Sequence, residues 1–130
     1  MSLARYLWTF PNSLIGLIFV PLAIMGGGVE PVDGVLELHG PLIAWILVHC
    51  IPMARGVAAI TLGHVVLGRD REALLQTRAH ERVHVRQYER WGPAFIPAYL
   101  LASLWGVVTG AGAYHGNAFE RAAFRDERFG

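Results

Sequence analysis

The chain has 130 residues, of which 54% are hydrophobic and only 16% are charged, and its mean hydropathy is +0.40. Its length corresponds to one domain, and its apolar composition favours a membrane-associated protein. The net charge is +1 without a basic arm or an acidic tail, which argues against a nucleic-acid partner. Cys50 is the single cysteine, so the sequence excludes an intrachain disulfide and a cysteine-based zinc site.

The N-terminal segment, residues 1–27, is predicted to be a membrane-anchor helix. Its apolar stretch runs from Leu7 to Met25, which just supplies the ~20 residues that cross a bilayer. Trp8 suits the headgroup level, and Pro21 is expected to kink the helix. Because prolines interrupt the run and no small-residue cleavage site follows it, we expect an uncleaved anchor rather than a signal peptide. A buried or interfacial helix is the alternative.

Residues 28–68 are predicted to form a small β-sheet. The stretch GGGVEPVDG at residues 26–34 is typical of a turn-rich acidic connector. The apolar runs that follow are interrupted by histidine, proline and glycine into pieces of about ten residues, which are short for membrane-spanning helices. The piece GVAAITLGHVVLG is rich in valine and isoleucine and is predicted to be a strand that ends at Gly68. A pair of interrupted membrane helices is the alternative.

Residues 69–130 are predicted to be a helical region. Asp70 is a typical N-cap and no proline or glycine follows until Gly92, so a helix is predicted over Arg71 to Trp91. An apolar helix, a loop and a short final helix are predicted after it, over residues 94–108, 110–117 and 118–128. The whole chain is therefore predicted to be one α+β domain.

The helix over Arg71 to Trp91 carries the sequence HERVH. His80 and His84 are four residues apart and lie on one face of a helix, so that both can bind one metal ion. Glu81 follows His80 and can take a proton from water that zinc has activated. The arginines at positions 78, 82, 86 and 90 lie on a different face. A solvated polar helix with fortuitous histidines is the alternative.

A catalytic zinc ion usually has three protein ligands and one open position, so a third ligand must come from elsewhere. The candidates are Glu89, His115, Glu120, Asp126 and Glu127. Glu89 rotates away from the metal face. Glu120 is favoured because it stands among small and apolar residues in NAFERAAF, where a buried carboxylate needs a positive partner. If the helix over residues 94–108 crossed the membrane, Glu120 would end on the opposite side from His80 and His84. Either the zinc lies at membrane depth, or this helix folds back within the domain or inserts only partly, and the second arrangement is favoured.

Four further residues are candidates for the surroundings of the metal. His64, Tyr114 or His115 could stabilise a developing oxyanion. Gln87, close to His84 on the helix, could hydrogen-bond to a ligating histidine or contact the following loop. For His64 the alternative is a hydrogen-bonded histidine on a strand.

The motif HERVH, followed by a helical glutamate in an N-x-x-E-x-x-A setting, resembles a gluzincin-type zinc metallopeptidase. The flanking sequence HERVHVRQYERWGP before an apolar helix also resembles small bacterial membrane-associated proteins of HExxH type. The resemblance covers roughly Thr61 to Ala123. It implies that His80, His84 and Glu120 bind Zn²⁺ and that Glu81 is the general base. The chain is much shorter than typical gluzincin peptidases and lacks room for a second lobe.

The distribution of charge predicts an orientation in the membrane. Arginines crowd residues 69–90 and 121–128, whereas the connector after the first helix is acidic. By the positive-inside tendency the site would face the cytoplasm, at the bacterial inner membrane that the resemblance implies. The sequence therefore predicts a membrane-associated zinc metallopeptidase, with the lipid bilayer and a membrane-proximal peptide or protein substrate as partners. A non-catalytic zinc-binding protein or a small structural membrane protein is the alternative.

Overall fold

The computed structural model describes residues 3–49, 59–114 and 116–126, and they form an α+β fold around a mixed sheet. Helices α1 (Leu3–Leu17) and α2 (Val20–Ile24) come before the sheet. The strands are β1 (Gly28–Val32), β2 (Val35–His39), β3 (Ala59–Leu62) and β4 (Val65–Gly68), with α3 (Pro41–His49) between β2 and β3. Helices α4 (Arg71–Trp91), α5 (Phe95–Val108) and α6 (Ala118–Asp126) follow. The α+β class predicted from the sequence is confirmed.

The sheet has the strand order β1-β2-β4-β3 and consists of two antiparallel hairpins, whose inner strands β2 and β4 pair in parallel. Asp33 and Gly34 form the first turn with φ of 52° and 81°, as a tight hairpin turn requires. The connector predicted over residues 26–34 is therefore wrong, since most of it belongs to this hairpin. The single strand predicted up to Gly68 is also wrong, because Gly63 takes φ of 66° and turns the chain between β3 and β4.

Both faces of the sheet are covered by helices. One apolar cluster joins the sheet to α2 and α3, and it consists of Ala23, Leu38, Ile43, Leu47, Val65 and Leu67. A second cluster joins the opposite face to α4, and it consists of Val35, Ala59, Val66, Leu74 and Val85. Alternate residues of β4 therefore face different helices, as the two-residue period of a strand dictates. Helix α3 was not predicted, and it lies inside the region expected to be sheet.

Glu37 on β2 fixes the rotation of α4 about its own axis. Its carboxylate is 3% exposed and accepts hydrogen bonds from Arg78 Nε at 3.0 Å and Arg78 Nη2 at 2.8 Å. Arg82 Nη2 donates to the same carboxylate at 3.0 Å. Two of the four arginines predicted to lie on a different face from the histidines thus face the sheet. Since positions two residues apart lie on nearly opposite sides of a helix, His80 and His84 face away from the sheet.

The bounds of α4 agree with the sequence prediction. Asp70 caps the first turn by accepting a hydrogen bond from the backbone N–H of Ala73 at 2.7 Å. Gly92, with φ of 58°, ends the helix and donates its N–H to the carbonyl of Tyr88. The chain then folds back on α4, as shown by the Tyr99 ring on α5, which lies 6.3 Å from the His84 ring. The fold-back required for Glu120 to reach His84 is therefore present.

The segment predicted to be a continuous anchor is divided into two helices. α1 ends at Leu17, and α2 begins at Val20 with Pro21 in its first turn. A helix of the length of α1 is about 22 Å long, which is less than the ~30 Å hydrocarbon core of a bilayer. Neither α1 nor α2 is therefore long enough to cross a bilayer by itself.

The polarity of α1 and α5 is inverted relative to a helix of a water-soluble protein. α1 buries Thr9, Asn12, Ser13 and Gly16, and α5 buries Phe95, Ser103 and Gly106. Their exposed faces carry large apolar residues, including Leu3, Leu7, Trp8, Leu14, Leu101, Leu104, Trp105 and Val108. All four tryptophans of the chain are between 43% and 66% exposed.

One helical stretch among the described residues, Arg71–Val108, is long and apolar enough to cross a membrane by length and composition. Its most apolar window has a mean hydropathy of 1.4, and only 22% of that window is buried. The turn at Gly92 divides this stretch, and α5 alone is about 21 Å long. Together with the inverted helices, this stretch supports membrane association.

Candidate metal site

α4 and α6 bring together the three side chains predicted to bind a metal. His80 Nε2 and His84 Nε2 each lie 2.9 Å from the same carboxylate oxygen, Glu120 Oε1. The side chains of His80, His84 and Glu120 are 11%, 6% and 6% exposed. Two imidazole nitrogens and one carboxylate oxygen thus converge on a small buried volume between the two helices.

Glu81 stands beside these ligands and is 4% exposed. One ligand atom from each of His80, Glu81 and His84 lies within 4.8 Å of the other two. Two overlapping groups can therefore be drawn, one completed by Glu81 and the other by Glu120. Glu120 Oε1 lies 2.9 Å from Nε2 of each histidine. The roles predicted for Glu120 as third ligand and for Glu81 as general base stay predictions.

Gln87 sets the tautomer of His84. Gln87 Nε2 donates to the carbonyl of Phe119 at 3.1 Å, so its oxygen faces the imidazole, with Oε1 2.8 Å from His84 Nδ1. That nitrogen must carry the hydrogen, since an amide oxygen only accepts. Nε2 of His84 is then the nitrogen that would bind a cation, once it gives up the proton that it shares with Glu120. Gln87 therefore lies beside His84, as predicted, and it also contacts the first turn of α6.

Tyr99, which the sequence analysis missed, holds the other oxygen of the Glu120 carboxylate. Its hydroxyl donates to Glu120 Oε2 at 2.5 Å, while Oε1 faces the histidines. A signal was present in the sequence, because Tyr99 and Ser103 are polar residues four positions apart in an otherwise apolar helix. Such a pair marks the face of the helix that turns towards a polar neighbour.

Asn117 positions the start of α6 relative to α5. Its side chain is fully buried and donates from Nδ2 to the carbonyl of Tyr99 at 3.0 Å and to Ser103 Oγ at 2.8 Å. Its Oδ1 accepts from the backbone N–H of Phe119 at 2.8 Å. This capping arrangement satisfies a free N–H in the first turn and sets the position of Glu120 one turn later.

Gly106 lets the loop before α6 pass close to α5. A Cβ built on Gly106 would lie 2.1 Å from the carbonyl oxygen of Gly112, so any side chain would push this loop away. The backbone N–H of Gly112 donates to the carbonyl of Gly106 at 2.9 Å. The glycine is required here for a close approach that returns the chain towards α4.

The electrostatics of the site favour a positive charge between the carboxylates. Burial lowers the pKa of His84, but the hydrogen bond to Glu120 and the charge of Glu81 outweigh it and raise the pKa above its ordinary value. The pKa of His80 is raised for the same reasons. Burial raises the pKa of Glu120, but the hydrogen bonds from both histidines outweigh it and hold the pKa at about 2. The groups that hold protons on the imidazoles would equally attract a metal cation.

Three further residues, His64, Tyr114 and His115, were predicted to stabilise an oxyanion near the metal. His64 is bonded through Nε2 to Glu89 Oε2 at 2.8 Å and lies against the ring of Tyr6, so its contacts are with α4 and α1. Tyr114 lies 6.0 Å from the ring of Phe124, which itself lies 4.4 Å from His80. His115 lies outside the described residues. The oxyanion roles suggested for these residues stay predictions.

The alternative acidic ligands have other partners. Glu89 is occupied by His64, and Asp126 accepts a hydrogen bond from Arg125 at 3.1 Å. Glu127 lies outside the described residues. Of the acidic candidates for the third ligand that the structure describes, Glu120 is the one whose oxygen meets both imidazoles.

The three groups fit a zinc ion in type and spacing. Two imidazoles and a carboxylate are an established zinc ligand set, and ligands around a tetrahedral zinc are roughly 3.3 Å apart. The observed 2.9 Å would need only a small outward shift of each side chain.

No known protein family, no curated protein and no solved structure matches this chain.

Proposed function

We propose that the protein is a membrane-associated zinc hydrolase whose substrate is a peptide or protein near the membrane. The observation that carries the proposal is the convergence of His80 Nε2 and His84 Nε2 on Glu120 Oε1, each at 2.9 Å. A buried ligand set of this composition, next to the carboxylate of Glu81, is the minimum that zinc-assisted hydrolysis requires.

In the proposed reaction each residue has a separate role. Zinc, when bound, acts as a Lewis acid on the scissile carbonyl and lowers the pKa of water towards about 7. Glu81 accepts the proton of the attacking water and later delivers it to the leaving amine. Gln87 keeps His84 in the required tautomer through the 2.8 Å hydrogen bond at Nδ1. The low exposure of the site keeps bulk water away from these groups.

The membrane part of the proposal is supported by the outward-facing apolar residues of α1 and α5. Leu101 and Trp105 on α5 are 67% and 66% exposed, and α1 presents a similar face. Burying such rows in lipid removes from water an apolar surface that a soluble monomer rarely exposes. Exposed tryptophans suit the interface between lipid and water. An orientation towards the cytoplasm of a bacterial inner membrane stays a prediction.

The test of the reaction is Glu81→Gln, which removes the base and keeps the shape of the side chain. We expect the variant to retain zinc and to lose hydrolysis of a quenched fluorescent peptide library by about 10²–10⁴-fold. Glu72→Gln is the matched control, because Glu72 is an exposed residue in the first turn of the same helix. Hydrolysis by Glu81→Gln at the wild-type rate would contradict the proposed role of Glu81.

A structural zinc site is the second candidate, and the burial of the cluster is the observation that favours it. With His84 and Glu120 each 6% exposed, access for a substrate is narrow. In that case zinc would be bound without hydrolysis, and removing it with a chelator would unfold the protein. Wild-type protein that holds zinc, melts at a lower temperature in chelator and cleaves no peptide of the library would favour this reading.

A further inference from the structure

Tyr99 divides the two oxygens of the Glu120 carboxylate between different partners. Oε1 faces both imidazoles at 2.9 Å, and Oε2 accepts the hydrogen bond of the Tyr99 hydroxyl at 2.5 Å. The hydroxyl approaches from α5, whereas the histidines lie on α4. The carboxylate of α6 is therefore held between two helices, with one oxygen assigned to each.

We infer that Tyr99 is a positioning residue: its hydrogen bond keeps Glu120 Oε2 away from the ion, so that Oε1 is the one oxygen of this carboxylate that binds it. This inference rests on the proposed zinc site. A carboxylate can bind a cation through one oxygen or through two, and an O–H···O⁻ hydrogen bond to one oxygen is strong enough to bias that choice. With Oε2 reserved, the ion has three protein ligand atoms and keeps a position for water or substrate.

The ring of Tyr99 is held independently of its hydroxyl. It lies 5.8 Å from the ring of Phe95 and 6.4 Å from that of Phe119, which it stacks against. The backbone carbonyl of Tyr99 accepts the hydrogen bond from Asn117, which anchors this turn of α5 to the start of α6. Phenylalanine at this position would keep the ring contacts and remove only the oxygen that contacts Glu120.

Tyr99→Phe is therefore compared with Tyr88→Phe, a matched control from α4. Tyr88 is buried whereas Tyr99 is half-buried, and the Tyr88 hydroxyl donates to a backbone carbonyl, that of Thr61, at 2.9 Å. Both variants lose one hydrogen bond of a tyrosine hydroxyl, but only Tyr99→Phe loses a bond to a proposed ligand. Circular dichroism of the metal-free proteins in detergent establishes that both variants are folded.

The measurement is a titration of metal-free protein with Co²⁺, followed by visible absorption. For Tyr99→Phe we expect a 10–100-fold lower affinity, the usual effect of losing a hydrogen bond to a ligand. We also expect weaker absorption bands, because the freed Oε2 can join the coordination and raise the ligand number. Tyr88→Phe should keep the wild-type affinity and spectrum.

The outcomes separate this inference from the site itself. Wild-type affinity and spectrum in Tyr99→Phe would overturn the positioning role while leaving the metal site intact. An equal loss of affinity in Tyr99→Phe and Tyr88→Phe would also overturn it, since the effect would then reflect general loss of stability. Wild-type protein that does not bind Co²⁺ would overturn the proposed site and this inference together.

Discussion

α4 and α5 are consecutive helices that bury opposite kinds of side chain. α4 packs Leu74 and Val85 against the sheet and exposes charged residues such as Arg86. α5 buries Ser103 and exposes Leu101. The difference indicates that α4 is built for a protein core with water outside, whereas α5 is built for an apolar surrounding. The proposed metal site lies where these two surroundings meet.

The strongest test of the α4 side is the buried charge cluster at Glu37. Glu37→Gln would leave Arg78 and Arg82 without their carboxylate, and we expect a loss of about 3 kcal/mol in the free energy of unfolding. Glu30→Gln is the control, because its ion pair with Arg71 is exposed and long at 3.8 Å. Thermal unfolding in detergent measures both. Equal, small shifts would mean that α4 is not held to the sheet by this cluster.

A charge on the outer face of α5 tests the other side of the comparison. Leu101→Lys should weaken partitioning into lipid vesicles by roughly 100-fold, since a lysine in the hydrocarbon region costs about 3 kcal/mol. Leu75→Lys makes the same change at a residue of α4 that is 56% exposed, and it should leave partitioning unchanged. Flotation of the proteins with vesicles measures this. If both variants float like the wild type, the apolar face of α5 does not bind lipid.

A substitution on the buried polar face of α1 tests the same inverted polarity and should have a smaller effect. Asn12 is 4% exposed and donates from Nδ2 to the carbonyl of Gly92 at 2.7 Å. Asn12→Ala should cost about 1–2 kcal/mol of unfolding free energy, because a buried carbonyl loses its partner. Leu14→Ala, on the 51% exposed outer face, should cost less in detergent. A helix that buried its apolar face and exposed its polar face would show the reverse order, and that result in detergent would contradict the inverted polarity.

The parts of the fold that local signals determine were predicted well. Asp70 and Gly92 stand at the two ends of α4, and each acts through bonds within one turn, so its bounds agree with the structure. Glu120 was singled out because a carboxylate among small apolar residues needs a positive partner, and the structure brings it to both histidines, while its role as a ligand stays a prediction. These arguments require only the helical period and the cost of burying a charge.

The parts that depend on contacts between distant residues were missed. α3 is an apolar run whose conformation is decided by packing on β2 and β4, and its composition alone resembles a buried strand. The two hairpins depend on positive φ at Gly34 and Gly63, and only the first has a strong Asp-Gly turn signal. The spacing of Tyr99 and Ser103 could have indicated a polar-facing side of α5, but the partner of the Tyr99 hydroxyl is defined only once α6 brings Glu120 beside it.

The measurement that tests the proposed metal site most directly is elemental analysis of protein purified without chelator. We expect about one zinc per chain in the wild type, and little in Glu120→Ala and in the isosteric Glu120→Gln. Asp126→Ala, a change to another acidic residue of α6, should keep the wild-type content. Wild-type protein without metal, or Glu120 variants with the full amount, would contradict the proposed site.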